Sequence, residues 1–391
     1  MKRKLPLLAF LLSLAGFTQA QTDSTQIKGT FAVSGYVDTY YQYNTNKPLT
    51  RRNLGRVFDV QHDNFSLGLV QTAVTYTYSK MKVVADLTFG PNADLGNFGN
   101  TGSSSVNIKQ AYGTYSFTDK LALTVGQFGT HIGYELIDAP LNYNYSLSYL
   151  FGNGPFYHTG AKLDYAVSDK VGLMVGVVNG WDALSDFNDK KSLTAQVHLA
   201  PSTGLHVYAN LISGDEYGGL SAFGQESGSR TNLYDLTLAY QVNESFKIGL
   251  NGAYGKFNTG YNQRITDADI NDAGSDELEK FLAAEQPYSE DQTWKGAALY
   301  LNYSISDKFG LGFRAERFSD PSGVRYLGKF VGNEFTLTGD IKLAQGYFLW
   351  KPELRLDTSK DGYFENQNGQ FNKKPQFTIG SAFIFVFNSA N

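Results

Sequence analysis

The sequence predicts an all-β chain, a transmembrane antiparallel β-barrel of about 16 strands with short turns at one end and long loops at the other. Three observations carry that expectation. The chain opens on an export-type segment, its apolar residues recur at every second position, and its connections alternate strictly between short and long.

The first element is the N-terminal segment. Lys2, Arg3 and Lys4 precede an apolar stretch from Leu5 to Phe17 and a small-residue end at Thr18-Gln19-Ala20, the pattern of a signal peptide cleaved after Ala20. Its apolar core is shorter than the roughly twenty residues a spanning helix needs. Residues 1–20 are therefore expected to be a signal peptide and residues 21–391 a single barrel domain.

Composition agrees with strands. The chain holds 26 Tyr and 28 Phe, residue types that favour strands and membrane interfaces. The formal charge of -4 includes the three cations of the leader, so the remainder carries -7 and is not a nucleic-acid binder by bulk electrostatics. With 0 Cys, disulfides and thiolate metal sites are excluded. Nothing after the leader approaches eighteen consecutive apolar residues, so any membrane crossing must be made by a closed sheet.

Alternation then places the strands near 30–43, 64–78, 81–90, 107–117, 121–130, 157–167, 171–181, 192–200, 204–214, 231–242, 246–257, 294–305, 309–319, 333–344, 347–359 and 375–387. In the tenth, Tyr234, Leu236, Leu238, Tyr240 and Val242 share one face against Asp235, Thr237, Ala239 and Gln241. Lys247, Gly249 and Asn251 oppose Phe246, Ile248 and Leu250 in the next strand in the same way.

Between strands, the short connections are Ser79-Lys80, Thr118-Asp119-Lys120, Ser168-Asp169-Lys170, Pro201-Ser202-Thr203, Asn243-Glu244-Ser245, Ser306-Asp307-Lys308 and Gln345-Gly346, with long ones between them. Paired residues share a face, so a three-residue turn must keep the odd or even phase of the apolar side and a two-residue turn must invert it. Across Ser168-Asp169-Lys170 the outward set stays odd, and across Gln345-Gly346 it flips to even. Leu67, Leu69 and Ile108 break the phase of their strands.

The same phase puts Lys82, Asp86, Lys162, Asp164, Asp235, Arg314, Glu316, Asp340, Lys342, Lys351, Glu353, Arg355 and Asp357 on the inner face. A Lys or Arg facing lipid at mid-membrane costs roughly 2–4 kcal/mol, so a common inward phase implies a wet lumen lined by mixed charges. The loop from His131 to Phe156 carries Glu135 and Asp138 and the aromatics Tyr143, Tyr145 and Tyr149, with no base. Contiguous rings are unfavourable in water, which predicts a loop folded into the lumen as a constriction, its two acids favouring cations. The alternative is packing over the outer rim or at a subunit contact.

Catalytic and metal chemistry find little support. Only His62, His131, His158, His198 and His206 are present, and Gly219-Leu-Ser-Ala-Phe breaks a serine-hydrolase turn at its last position. His198 and His206 should meet across the Pro201 turn, but two ligands make a weak site. In the acidic loop after Asn258, Asp267-x-Asp269-x-Asn271 imitates a calcium loop. There Asp272 stands where Gly is needed and Leu278 where the closing Glu belongs. Ser275 is placed to cap a short helix, Asp276 to Glu285. No cofactor, metal or catalytic residue is assigned.

Taken in order, Gly35-Tyr-Val-Asp-Thr-Tyr-Tyr, Asp86-Leu-Thr-Phe-Gly, Ile108-Lys-Gln-Ala-Tyr, Gly126-Gln-Phe-Gly-Thr-His-Ile-Gly-Tyr-Glu, Asn142-Tyr-Asn-Tyr-Ser and Pro155-Phe-Tyr-His-Thr-Gly resemble the OmpL-like β-barrel porins of Gram-negative outer membranes. The resemblance covers nearly the whole chain after the leader. It implies an outer-membrane channel for small hydrophilic solutes, with no catalytic residues to carry over. Lipids and lipopolysaccharide would surround it, and a homotrimer is left open. One departure is that Asn388-Ser-Ala-Asn follows Phe387, where such barrels commonly end on an aromatic. The alternatives to a channel are a barrel enzyme and a structural or adhesive barrel with an occluded lumen.

Overall fold

A computed structural model describes residues 29–96, 108–186, 189–216, 230–257, 292–326 and 328–389. The expected signal segment, and the acidic stretch with its calcium-like motif and the short helix expected there, fall outside them.

The strands are β1 (Thr30–Asn44), β2 (Phe65–Tyr78), β3 (Met81–Phe89), β4 (Ile108–Ser116), β5 (Leu121–Gly129), β6 (Tyr157–Ser168), β7 (Val171–Val178), β8 (Ser192–Ser202), β9 (Leu205–Asp215), β10 (Arg230–Gln241), β11 (Phe246–Phe257), β12 (Gln292–Ser306), β13 (Phe309–Asp320), β14 (Phe330–Leu343) and β15 (Phe348–Ser359), then β16 (Phe364–Glu365), β17 (Phe371–Lys373) and β18 (Pro375–Asn388). All but β16 and β17 form one closed antiparallel barrel in chain order, and β1 closes onto β18 from Ser34↔Asn388 to Asn44↔Thr378. The two short strands make a hairpin inside the loop between β15 and β18. Each barrel strand lies where alternation places it, with ends moved by a few residues.

Registers follow the parity rule. Leu163 pairs with Val175 and Tyr165 with Leu173 across the three-residue turn, whereas Leu337 pairs with Leu354 and Leu343 with Phe348 across the inverting one. The outward face is apolar: Leu250 is 44% exposed. Its inward neighbour Asn251 is 4% exposed. Outward cations Lys295 and Arg317 occur toward the long-loop end, near Tyr254.

Both phase violations are β-bulges. Opposite Val37 to Thr39 the β2 strand carries an extra residue, so Phe65 and Leu67 point out while Leu69 turns in against Tyr36 and Tyr40. Opposite Asp86 and Leu87 the extra residue is Lys109, which returns Ile108 to the outward face beside Leu87. Each bulge re-aims one side chain into the barrel.

The interior is not uniformly wet. The loop after β5 enters the barrel, with a 3-10 turn at Ala139–Leu141 and a short helix at Tyr149–Asn153 capped by Ser148. Its Tyr145 packs with Tyr36, Tyr40 and Ile384, its Leu147 and Phe156 with Phe58, and its Tyr149 and Leu150 with Trp294, Phe318 and Phe330. The side of the barrel formed by β12 to β15, β18 and β1 is thereby filled.

Candidate functional site

A loop that leaves the sheet for the barrel interior takes its peptide groups away from both strand partners and water. Each buried N–H and C=O then needs a side-chain partner. The charged residues of β13 and β15 supply them. Glu353 accepts from the N–H of Tyr145 at 2.8 Å and from that of Ser146 at 3.2 Å. Glu316 accepts from Tyr149 at 2.6 Å and Leu150 at 2.7 Å. Cations take the carbonyls: Arg314 donates to Ser146, Arg355 to Leu147, and Lys351 to Asn142 and Tyr143. Such charge-assisted bonds are stronger than neutral ones, so the wall acts as a clamp.

This corrects the reading of those wall charges as groups facing water. Arg314, Glu316, Lys351, Glu353, Arg355 and Asp357 are all buried under the loop they hold. Asp357 receives the Tyr149 hydroxyl at 2.7 Å and pairs with Arg355 at 2.9 Å and Arg56 at 2.7 Å. Asp340 pairs with Lys351 at 2.9 Å, and Asp86 with Lys109 at 3.3 Å. Asp235 accepts from Asn210, Asn251 and the Gly133 N–H, which fixes the start of the loop. Lys82, Lys162, Asp164 and Lys342 keep exposure, with Lys162 3.0 Å from Asp164.

The two loop acids are also paired. Glu135 meets Arg314 at 2.6 Å and accepts from Ser148, and Asp138 binds Lys109. The expected cation preference rested on these carboxylates meeting ions directly, and each is instead bound to a cation of the wall, Arg314 being shared with Glu334 and Lys109 with Asp86. Tyr145 and Tyr149 are fully enclosed, and burial pushes both phenols well above their usual range. Tyr143 alone of the three stays partly open.

On the opposite side space remains. A cavity of about 310 Å³ lies between loop residues, among them Tyr134, Tyr143 and Asn144, and wall residues that include Gln196, Lys247 and Asn302. A second, of about 560 Å³, opens at the short-turn end among Ser79, Asp119, Lys120 and His198. Gln196 and Tyr208 line both, so the two adjoin. Glycines let the loop approach: a Cβ on Gly249 would stand 2.3 Å from the Tyr134 ring, and one on Gly312 would stand 2.8 Å from the Tyr143 Cβ. Tyr134 stacks on Tyr300 with centroids 4.3 Å apart, and the Lys247 ammonium lies 5.8 Å from the Tyr134 ring.

The histidines fall in two pairs. His198 and His206 meet with 3.0 Å between ring nitrogens, although Pro201 lies within β8, the turn falls at Thr203-Gly204 and the register sets His198 opposite Tyr208. No group of three metal-binding side chains occurs among the described residues. His131 lies beside His158 and bonds Thr194 at 2.8 Å. Burial, then His158 and Lys162, push it down to about 3, so it is neutral near pH 7.

Alternation missed Arg56 and Asp59, which sit in the first long loop where no period operates, and Lys109, hidden by its bulge. Glu334, which pairs with Arg314, had the right phase to be found.

Known structures share this architecture. The outer membrane channel DcaP of Acinetobacter baumannii superposes with a TM-score of 0.57 at 11% identity, covering 93% of this chain and 99% of that one. The anion-selective porin from Comamonas acidovorans gives 0.54 at 12% identity, covering 92% and 100%. Pseudomonas putida OprB gives 0.54 at 11%, covering 92% and 94%. At such identity the likeness is one of fold. No curated protein matches the sequence. A family model described as "Putative beta-barrel porin-2, OmpL-like" matches residues 30–387, nearly the whole described barrel, and the chain accordingly belongs to this family of outer-membrane porins.

Proposed function

We propose that small hydrophilic solutes diffuse passively along the β8 to β12 side of the barrel, and that the loop from His131 to Phe156 is the constriction. The adjoining cavities that share Gln196 and Tyr208 carry this reading. One opens at the short-turn end, which faces the periplasm in such barrels, and the other reaches the loop. Of the charged side chains around the inner cavity, Glu135 is neutralised by Arg314, while Lys247 has no ion pair among the described residues. The narrow zone is therefore neutral to weakly positive, and its selectivity is weakly anionic.

The filled half of the lumen favours a competing reading, a structural barrel with a closed interior. Planar-bilayer conductance of the purified protein, beside liposome swelling with sugars of graded size, separates the two. Discrete conductance steps with a sharp size limit support the channel, and a silent bilayer with intact, folded protein sinks it. Lipid hydrolysis measured on the same preparation tests the enzymatic alternative.

A further inference from the structure

Buried polar atoms are nearly always hydrogen-bonded, so a cluster left without partners calls for an explanation. The Tyr134 hydroxyl, the Tyr300 hydroxyl and the Asn302 side-chain oxygen are all buried and lack a hydrogen bond. All three residues line the 310 Å³ cavity between loop and wall. The Ser148 hydroxyl, close to that of Tyr300, is engaged elsewhere: it donates to Glu135 and accepts from the Phe151 N–H at 3.0 Å.

We propose that this cavity is a binding subsite for a small neutral polyhydroxylated solute of the monosaccharide or polyol class. The inference rests on the channel reading above and names what that channel retains in passing.

The chemistry selects this class in three ways. A phenolic hydroxyl can donate and accept, and an amide oxygen only accepts, so the partner must bring both donors and acceptors at close spacing. A row of alcohol groups does so, whereas an aliphatic chain or a quaternary ammonium does not. Most of the surrounding groups are neutral amides and hydroxyls, with Asn142, Asn144, Gln196, Thr237 and Tyr208 on the same walls; the charged ones are Lys247 and Glu135, the latter bound to Arg314. Finally, the stacked rings of Tyr134 and Tyr300 provide an apolar surface for the C–H face of a sugar. The volume stands at the lower end of small-ligand pockets, roughly 300–1,000 Å³. One monosaccharide fits that scale and an oligosaccharide does not.

The test uses the full protein in planar bilayers, with glucose or mannitol titrated against the ion current and a per-O-methylated glucose as the probe that keeps shape but donates no hydrogen bond. The expected result is a saturable block by glucose or mannitol and none by the methylated sugar. Asn302→Leu and the double change Tyr134→Phe with Tyr300→Phe should raise the half-blocking concentration about 3- to 10-fold for each hydrogen bond lost. A channel whose current falls only in proportion to solution viscosity overturns the subsite and leaves the channel reading intact, since water alone then satisfies the three atoms. Equal block by the methylated sugar also overturns it. Absence of conductance altogether fails the channel reading instead.

Discussion

Arg314 holds Glu135 at 2.6 Å, with both side chains out of water, and so joins the barrel wall to the beginning of the inserted loop. Removing one member of a buried pair leaves the other charged and unpaired, at a cost of about 3–5 kcal/mol. Arg314→Ala is expected to release the loop, raising single-channel conductance and current noise. Glu135→Gln should leave the reversal potential in a salt gradient unchanged. A clear shift of the reversal potential toward anions in Glu135→Gln would show that this carboxylate meets ions after all.

Lys247 gives the complementary prediction. Its ammonium borders the narrow cavity without an ion pair among the described residues, so Lys247→Glu should move the reversal potential toward cations. An unchanged potential would place the ion path elsewhere in the barrel.

Steric fit can be tested at Gly249. A Cβ there would lie 2.3 Å from the ring of Tyr134, so Gly249→Val must displace the ring or the strand. Conductance should change while the barrel still assembles, and Gly249→Val with Tyr134→Ala should restore the wild-type value more nearly than either change alone.

Orientation is tested by neighbours in β12. Leu301 pairs outward with Ile248 and Phe313, whereas Asn302 is buried inside. Arg at position 301 should lower folding into lipid vesicles by about 2–4 kcal/mol. Arg at position 302 should fold but obstruct the cavity. Equal yields and equal currents for the two variants would contradict the assigned faces.

The pH dependence follows from His131, whose locked form resists protonation down to about 3. A released loop would bind a proton near the ordinary histidine value of about 6.5, so falling pH favours release from there downward, and the locked state is fully favoured only above it. The facing groups are His158 and Lys162 of β6 and Thr194 and Gln196 of β8. Current fluctuations should grow on acidification, and His131→Gln should shift their onset to lower pH, where the loop carboxylates begin to titrate.

Most of the barrel was legible because each strand repeats one rule, and a turn of known length transmits the phase to the next strand. Even the misfits at Leu67, Leu69 and Ile108 were informative, since each marks a bulge that the rule has no way to express. The clamp was harder to read. Phase correctly turned Glu316, Glu353 and Arg355 inward, but what they bind is the main chain of Tyr145 to Leu150, and peptide groups carry no sequence signal. Inward charge was therefore mistaken for contact with water. Arg56 and Asp59 lie in a loop, where only the folded structure brings them to Asp357 and to each other.

The clamp also has a kinetic side. Its bonds join residues 166 to 209 positions apart, from Leu150 with Glu316 to Asn142 with Lys351. Contacts so distant in sequence form late, because the intervening chain must first be ordered. The loop therefore cannot lock until β13 and β15, among the last strands along the chain, have joined the sheet. A barrel interrupted before that point would hold its loop loose, so the locked interior is acquired at the end of assembly and marks its completion.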